Sequence, residues 1–196
     1  MTVGSIVLVT GAAEPVAAVS EALRKEGAEV IEVDELGKLE AALEGISPGS
    51  LAGYVQLPIH VVARGDTVVD RVRSFLEDGL LARFAATSAI LPALSGKARV
   101  VLVAGNTLVE AAAPDDQGAR VALMGVLAHA IQADKSESPI QVQVLPHDVA
   151  PERIAAVAMG SEPTREQALA DLLAREPKMS FADWRIEVMG LVHGQF

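Results

Sequence analysis

Residue types that carry most enzyme chemistry are scarce in this sequence. Cysteine is absent, which excludes disulfides, thiolate nucleophiles, iron–sulfur clusters and cysteine-based zinc sites. The four histidines, His60, His129, His147 and His193, are scattered. No two of them share the i, i+4 spacing that sets a pair of imidazoles on one helix face, so no metal is expected. Acid–base potential is concentrated in Asp115, Asp116 and Arg120, with Thr107 as a nearby hydroxyl. The plainer account of those carboxylates is an exposed ion pair opening a helix, because the helix dipole favours aspartate in a first turn. The sole tyrosine, Tyr54, lies in an apolar run far from that cluster.

Net charge is −10 and the isoelectric point about 4.8. An acidic surface repels a phosphate backbone, so nucleic acid is not an expected partner. The densest basic stretch, Arg71, Arg73 and Arg83, is interleaved with Glu77 and Asp78 and reads as a solvated helix face. No apolar run approaches the roughly 18 residues of a membrane span. Met1 to Ser5 has no basic n-region, and Ile6 to Val9 is too short for a signal h-region, so a soluble cytoplasmic protein is expected.

Hydrophobic residues make up 51% of the chain and aromatics 3%, so aliphatic side chains must build the core. The elements alternate strand and helix, the order of a parallel sheet with crossover helices. Strands are expected at Ser5 to Val9, Glu29 to Val33, Leu51 to Pro58, Arg99 to Ala104 and Ile140 to Leu145. Helices are expected at Pro15 to Lys25, Leu36 to Leu43, Thr67 to Leu94 and Gln117 to Ala133. Gly79 is a kink point in the third of these. Beyond Pro146 the pattern weakens to a helix at Thr164 to Arg175 and a short strand at Trp184 to Met189. Trp184 itself reads as a core or interface anchor. One domain, 1–196, is expected.

The opening run V-L-V-T-G-A-A-E-P-V-A-A-V-S-E-A-L-R-K-E-G-A-E-V-I-E-V-D resembles the first strand–helix–strand unit of the short-chain dehydrogenase/reductase family. Ala89 to Leu94 with the strand at Arg99, the helix opening at Asp116, and Ile140 to Pro146 resemble that family's later elements in order. The resemblance spans about Ile6 to Asp148. It implies an α/β, Rossmann-like, doubly wound parallel sheet. Only Glu35 to Ser50 separates the second strand from the third, which implies a truncated sheet with one strand of its first half missing.

Position by position, the family's functional residues are replaced. Its T-G-x-x-x-G-x-G turn lets the backbone approach a pyrophosphate at a helix N-terminus. Here Thr10 and Gly11 persist, but the later glycines become Pro15 and Ala17, or Glu14 and Val16 if the match runs back from Glu26-Gly27. Glu14 is a candidate substitute for the missing phosphate at the dipole. Asp34 stands at the position of the ribose-binding acid, or is a plain strand-end carboxylate. Asp116 and Arg120 replace the Tyr and Lys that move the proton. Gly105 replaces the Ser, and Gly79 the Asn.

Thr10, Gly11 and Asp34 are therefore vestigial cofactor positions, with no catalytic residue, cofactor or metal expected. In the family, the fourth helix and the active-site helix pair with copies of themselves in a partner. On them Leu80, Phe84, Leu123 and Leu127 are the candidate interface residues. The implied role is a non-catalytic subunit in a homo-oligomer, or in a heteromer with an active short-chain dehydrogenase, for instance one acting on acyl-CoA compounds. The alternative is a divergent NAD(P)-binding oxidoreductase or a small-ligand module.

Overall fold

Strands buried on both faces must alternate large apolar side chains to each side, and this chain does so. A computed structural model describes residues 5–61, 64–105, 107–108, 115–134, 138–146 and 148–162. β1 (Ile6–Thr10), β2 (Glu29–Val33), β3 (Leu51–Gln56), β5 (Leu94–Val103) and β7 (Gln141–Leu145) form one parallel sheet, in the order β2-β1-β3-β5-β7. Val7, Val9, Val55, Val101 and Val103 point to one face, where α1 (Ala13–Lys25) and α6 (Pro151–Met159) supply Val16, Val19, Leu23, Ile154 and Val157. Leu8, Tyr54, Val100 and Leu102 point to the other, under α2 (Leu39–Glu44), α4 (Ala82–Ile90) and α5 (Asp115–Asp134). Helices on both faces of a parallel sheet make this the α/β, Rossmann-like architecture that the alternation implies.

The order runs outward from β1 in both directions, so the topology switches between β1 and β3. Strand β2 is an edge of this sheet, in agreement with a first half one strand short. Its exposed Glu29 and Glu32 discourage further pairing, as charged residues on a sheet edge do. A second, two-stranded sheet pairs β4 (His60–Val61) with β6 (Thr107–Leu108), an element absent from the sequence reading.

The long helix expected at Thr67 to Leu94 is interrupted where its glycine lies. α3 (Val68–Phe75) passes into a π-helical segment, Leu76–Leu81, with Gly79 buried inside it, and then into α4 and a 3-10 turn, Leu91–Ala93. Strand β5 starts earlier than Arg99 because Leu94 pairs with Leu51 before an irregularity restores the register at Gly53 and Arg99. Helix α6 escaped the reading beyond Pro146: it is nine residues long, and its buried stripe is half alanine.

Met1–Met159 and Gly160–Phe196 form two compact units. The helix expected at Thr164 to Arg175 and the strand at Trp184 to Met189 lie outside the described residues. Among the described residues, no helix is long and apolar enough to cross a membrane.

Ser20 is fully buried in α1, and its hydroxyl has no hydrogen-bond partner among the described residues. A buried polar atom without a partner keeps its desolvation penalty. Ser20→Ala is therefore expected to raise stability by about 1 kcal/mol, read from the urea midpoint at constant m.

Candidate functional site

In an open α/β sheet, ligands bind outside the carboxyl ends of the strands at the topological switch. Here that place lies between the ends of β1 and β3. Thr10 closes β1, and Gly11 follows with its amide donating to Val33 O at 3.2 Å. The Ala12 amide donates to Pro58 O at 2.9 Å, which seats the chain after β3 directly on the turn. A Cβ on Gly11 would meet Leu57 Cβ at 2.6 Å, so only glycine fits this approach. Pro15 has no amide to offer, which leaves Ala13 and Glu14 as the uncommitted donors of the first turn. Glu14 is exposed there, and Val16 is buried. The Gly11 and Ala12 amides are thus spent on the protein's own carbonyls.

Under this turn lies a polar cluster. The strand residues facing α4 are apolar until the last layer, where Thr10 and Gln56 stand beside Tyr54. Thr10 Oγ1 and Tyr54 Oη are 3.0 Å apart. Gln56 Nε2 donates to Tyr54 Oη at 2.9 Å, to Arg83 O at 2.8 Å and to Thr87 Oγ1 at 3.0 Å. The Thr87 hydroxyl donates to Arg83 O at 3.1 Å. Arg83 Nε donates to Gln56 Oε1 at 3.1 Å, one terminal nitrogen donates to Val103 O at 2.6 Å, and the other donates to Gly105 O.

Arg83 is only 1% exposed. This overturns the solvated face expected for it: i, i+4 geometry puts Arg83 and Thr87 together on the inner side of α4, where strand-end acceptors replace water. Desolvation pushes its pKa down to about 10, and it stays charged at neutral pH. The resemblance puts the family's Ser at its partner Gly105. With φ +99°, Gly105 holds a backbone conformation that a serine rarely adopts.

The buried cluster was legible only in part. In L-A-G-Y-V-Q, two polar residues spaced i, i+2 on a buried strand mark one face, and Arg83 with Thr87 mark one side of a helix. Nothing in the sequence says that those two faces meet.

The remaining expected residues are dispersed. Asp34 is exposed and paired with Lys38 Nζ at 2.9 Å; that hydrogen bond holds its carboxyl below the ordinary value. Leu127 is buried in the sheet core, while Leu80 and Phe84 are half-buried against it. Leu123, Asp115, Asp116 and Arg120 lie in α5, and Thr107 in β6, with side chains outside those described. Among the described residues no cluster could hold a metal ion.

Burial raises the Tyr54 phenol above its ordinary 10.0, against the lowering by its hydrogen bonds to Thr10 and Gln56. A group with a raised folded pKa adds stability below its unfolded value and loses it as pH climbs through the folded one. Tyr54 is the only tyrosine, so an absorbance titration reads it alone. The expected result is no phenolate signal through the ordinary tyrosine range, then a step coincident with unfolding.

No family model matches the sequence, and no curated protein matches it. Among solved structures, the chain is similar to one described as "a putative short-chain dehydrogenase/reductase from Corynebacterium glutamicum". The match has a TM-score of 0.50 at 15% identity, and covers 77% of this chain and 88% of that one. At that identity the likeness shows the fold alone, a Rossmann-like α/β domain.

Proposed function

We propose that this chain is a non-catalytic, dehydrogenase-like subunit that works by association, with itself or with an active short-chain dehydrogenase that it stabilises or completes. The observation that supports the reading is the close approach of Leu57 and Pro58 to the Gly11 turn, together with the buried Arg83 donating to Gly105 O. A pyrophosphate drawing on the Gly11 or Ala12 amide would have to displace a main-chain hydrogen bond. The replaced Ser, Tyr, Lys and Asn positions agree with it.

The outer helix surfaces favour association. The exposed positions within α4 are Ala85, Ser88 and Ala89, and from Gly125 to Ala133 α5 has no Asp, Glu, Lys or Arg. Val126 is 62% exposed and Leu81, just before α4, 54%. In a chain that is 21% charged, uncharged small residues on two helices of one layer suit close helix packing better than solvation. Leu80 and Phe84 border this surface with the parts of their side chains that the core leaves uncovered.

Co-purification from the native host, with light-scattering mass measurement, tests the proposal. The expected result is a stable oligomer that contains this chain and gives no NAD(P)H fluorescence change with the isolated chain. A monomer that binds NAD(P)H at micromolar concentration would overturn it in favour of a divergent nucleotide-binding oxidoreductase. Val126→Lys places a charge on the proposed surface; it is expected to lower the oligomer mass while leaving the far-ultraviolet circular dichroism unchanged.

A further inference from the structure

The acceptors that hold the Arg83 head group stand at strand ends. Gln56 closes β3, Val103 closes β5, and Gly105 lies two residues further on. The arginine itself comes from α4, separated by 27, 20 and 22 residues from those three partners. Among the described residues three of the acceptors are main-chain carbonyls, Val103 O, Gly105 O and, at 3.5 Å, Gln56 O, and another is a primary amide oxygen whose NH2 group is anchored on Tyr54, Thr87 and the Arg83 carbonyl. The amide therefore cannot turn over to present its donors to the cation. The result is a fixed set of acceptors around a planar, fork-shaped donor. A guanidinium matches such a set, whereas an ammonium, a compact point charge, does not.

The same strand ends, beside the β1–β3 switch, are where this architecture presents polar groups to a bound molecule. We infer that the ends of β3 and β5 form a receptor for a planar guanidinium or amidinium cation, and that Arg83 fills this receptor in cis as an internal ligand. The helix supplies the tether, and the strands supply the recognition. Cutting the tether leaves the receptor intact for a small cation of the same shape.

The test is made on the full chain carrying Arg83→Ala, with no nucleotide or partner in the measurement. Thermal unfolding is followed in methylguanidinium chloride at millimolar concentrations, far below the denaturing range, against sodium chloride at equal ionic strength. Ligand that binds only the folded state raises its melting temperature and saturates. The expected result is a lowered melting temperature for the variant, a saturable rise of several degrees with methylguanidinium, and no rise with sodium. The parent protein, whose receptor is occupied, is expected to show no such rise.

An equal response to both salts, or the same rise in the parent protein, would overturn the inference. Should Arg83→Ala fail to fold alone, refolding in methylguanidinium is expected to recover cooperative unfolding; recovery in neither salt would count against the receptor. Arg83→Lys keeps the charge and the stem. It is expected to melt lower than the parent and to ignore methylguanidinium, and a Lys variant as stable as the parent would sink the planar-cation reading.

Discussion

Gln56→Leu is expected to destabilise the fold by about 3–5 kcal/mol, the scale seen when one partner of a buried charged group is removed. Leucine is close in size, so the loss is not one of packing. It removes the Oε1 that accepts from Arg83 Nε and the Nε2 that donates to Tyr54, Thr87 and the Arg83 carbonyl. A buried cation then keeps its desolvation penalty with one acceptor fewer, and the two hydroxyls lose a donor. Urea unfolding by circular dichroism reads the change. A midpoint within experimental error of the parent would show that water, and not Gln56, satisfies this cluster. Tyr54→Phe in the same background tests coupling: the double variant should cost less than the sum of the two single changes, because both residues serve one network.

Gly11→Val is the second large effect, on the order of 3 kcal/mol, from overpacking combined with backbone strain. The new Cβ would meet Leu57 Cβ at 2.6 Å, Pro58 O at 3.2 Å and Leu57 Cα at 3.3 Å. Two of these neighbours are backbone atoms, and the third is the first side-chain atom of Leu57. None is a flexible end that can swing aside. Relief requires the chain after β3 to retreat from the turn, which would also lengthen the Ala12 N–H to Pro58 O hydrogen bond. Gly96→Val is the control, since a Cβ there meets nothing within 4 Å. A similar midpoint shift for both variants would refute the account of a close approach at Gly11.

Much of the scaffold was legible because it rests on local rules. Alternating apolar strands and helices, Thr-Gly after β1 and Gly27 after α1 locate β1, α1, β2, β3 and β7 within a few residues. Gly79 predicted a break in the long helix, and the break is there as a π-helical segment. The shortage of residues between β2 and β3 predicted a missing strand, and β2 is an edge in the observed order. Short elements were not legible: α6 has too few large residues to mark a face, and a two-residue pairing such as β4–β6 has no periodicity at all.

Departures from the family's motifs could likewise be named from the resemblance, since a glycine or tyrosine that does not match is visible one residue at a time. The buried cation could not. Arg83 reads as one more charge on an amphipathic surface, because its neighbours Glu77 and Asp78 are exposed. Only the packing of α4 over β3 and β5 turns it inward, onto the carbonyls of Val103 and Gly105.

The order of the elements, the aliphatic core and the absent cysteine chemistry follow from the sequence by itself, since each depends on residue type and local period. The close approach at the Gly11 turn and the buried cation belong to the tertiary structure. They depend on contacts between residues 20 to 47 positions apart, such as Arg83 with Val103 and Ala12 with Pro58, and no local rule reaches across that distance.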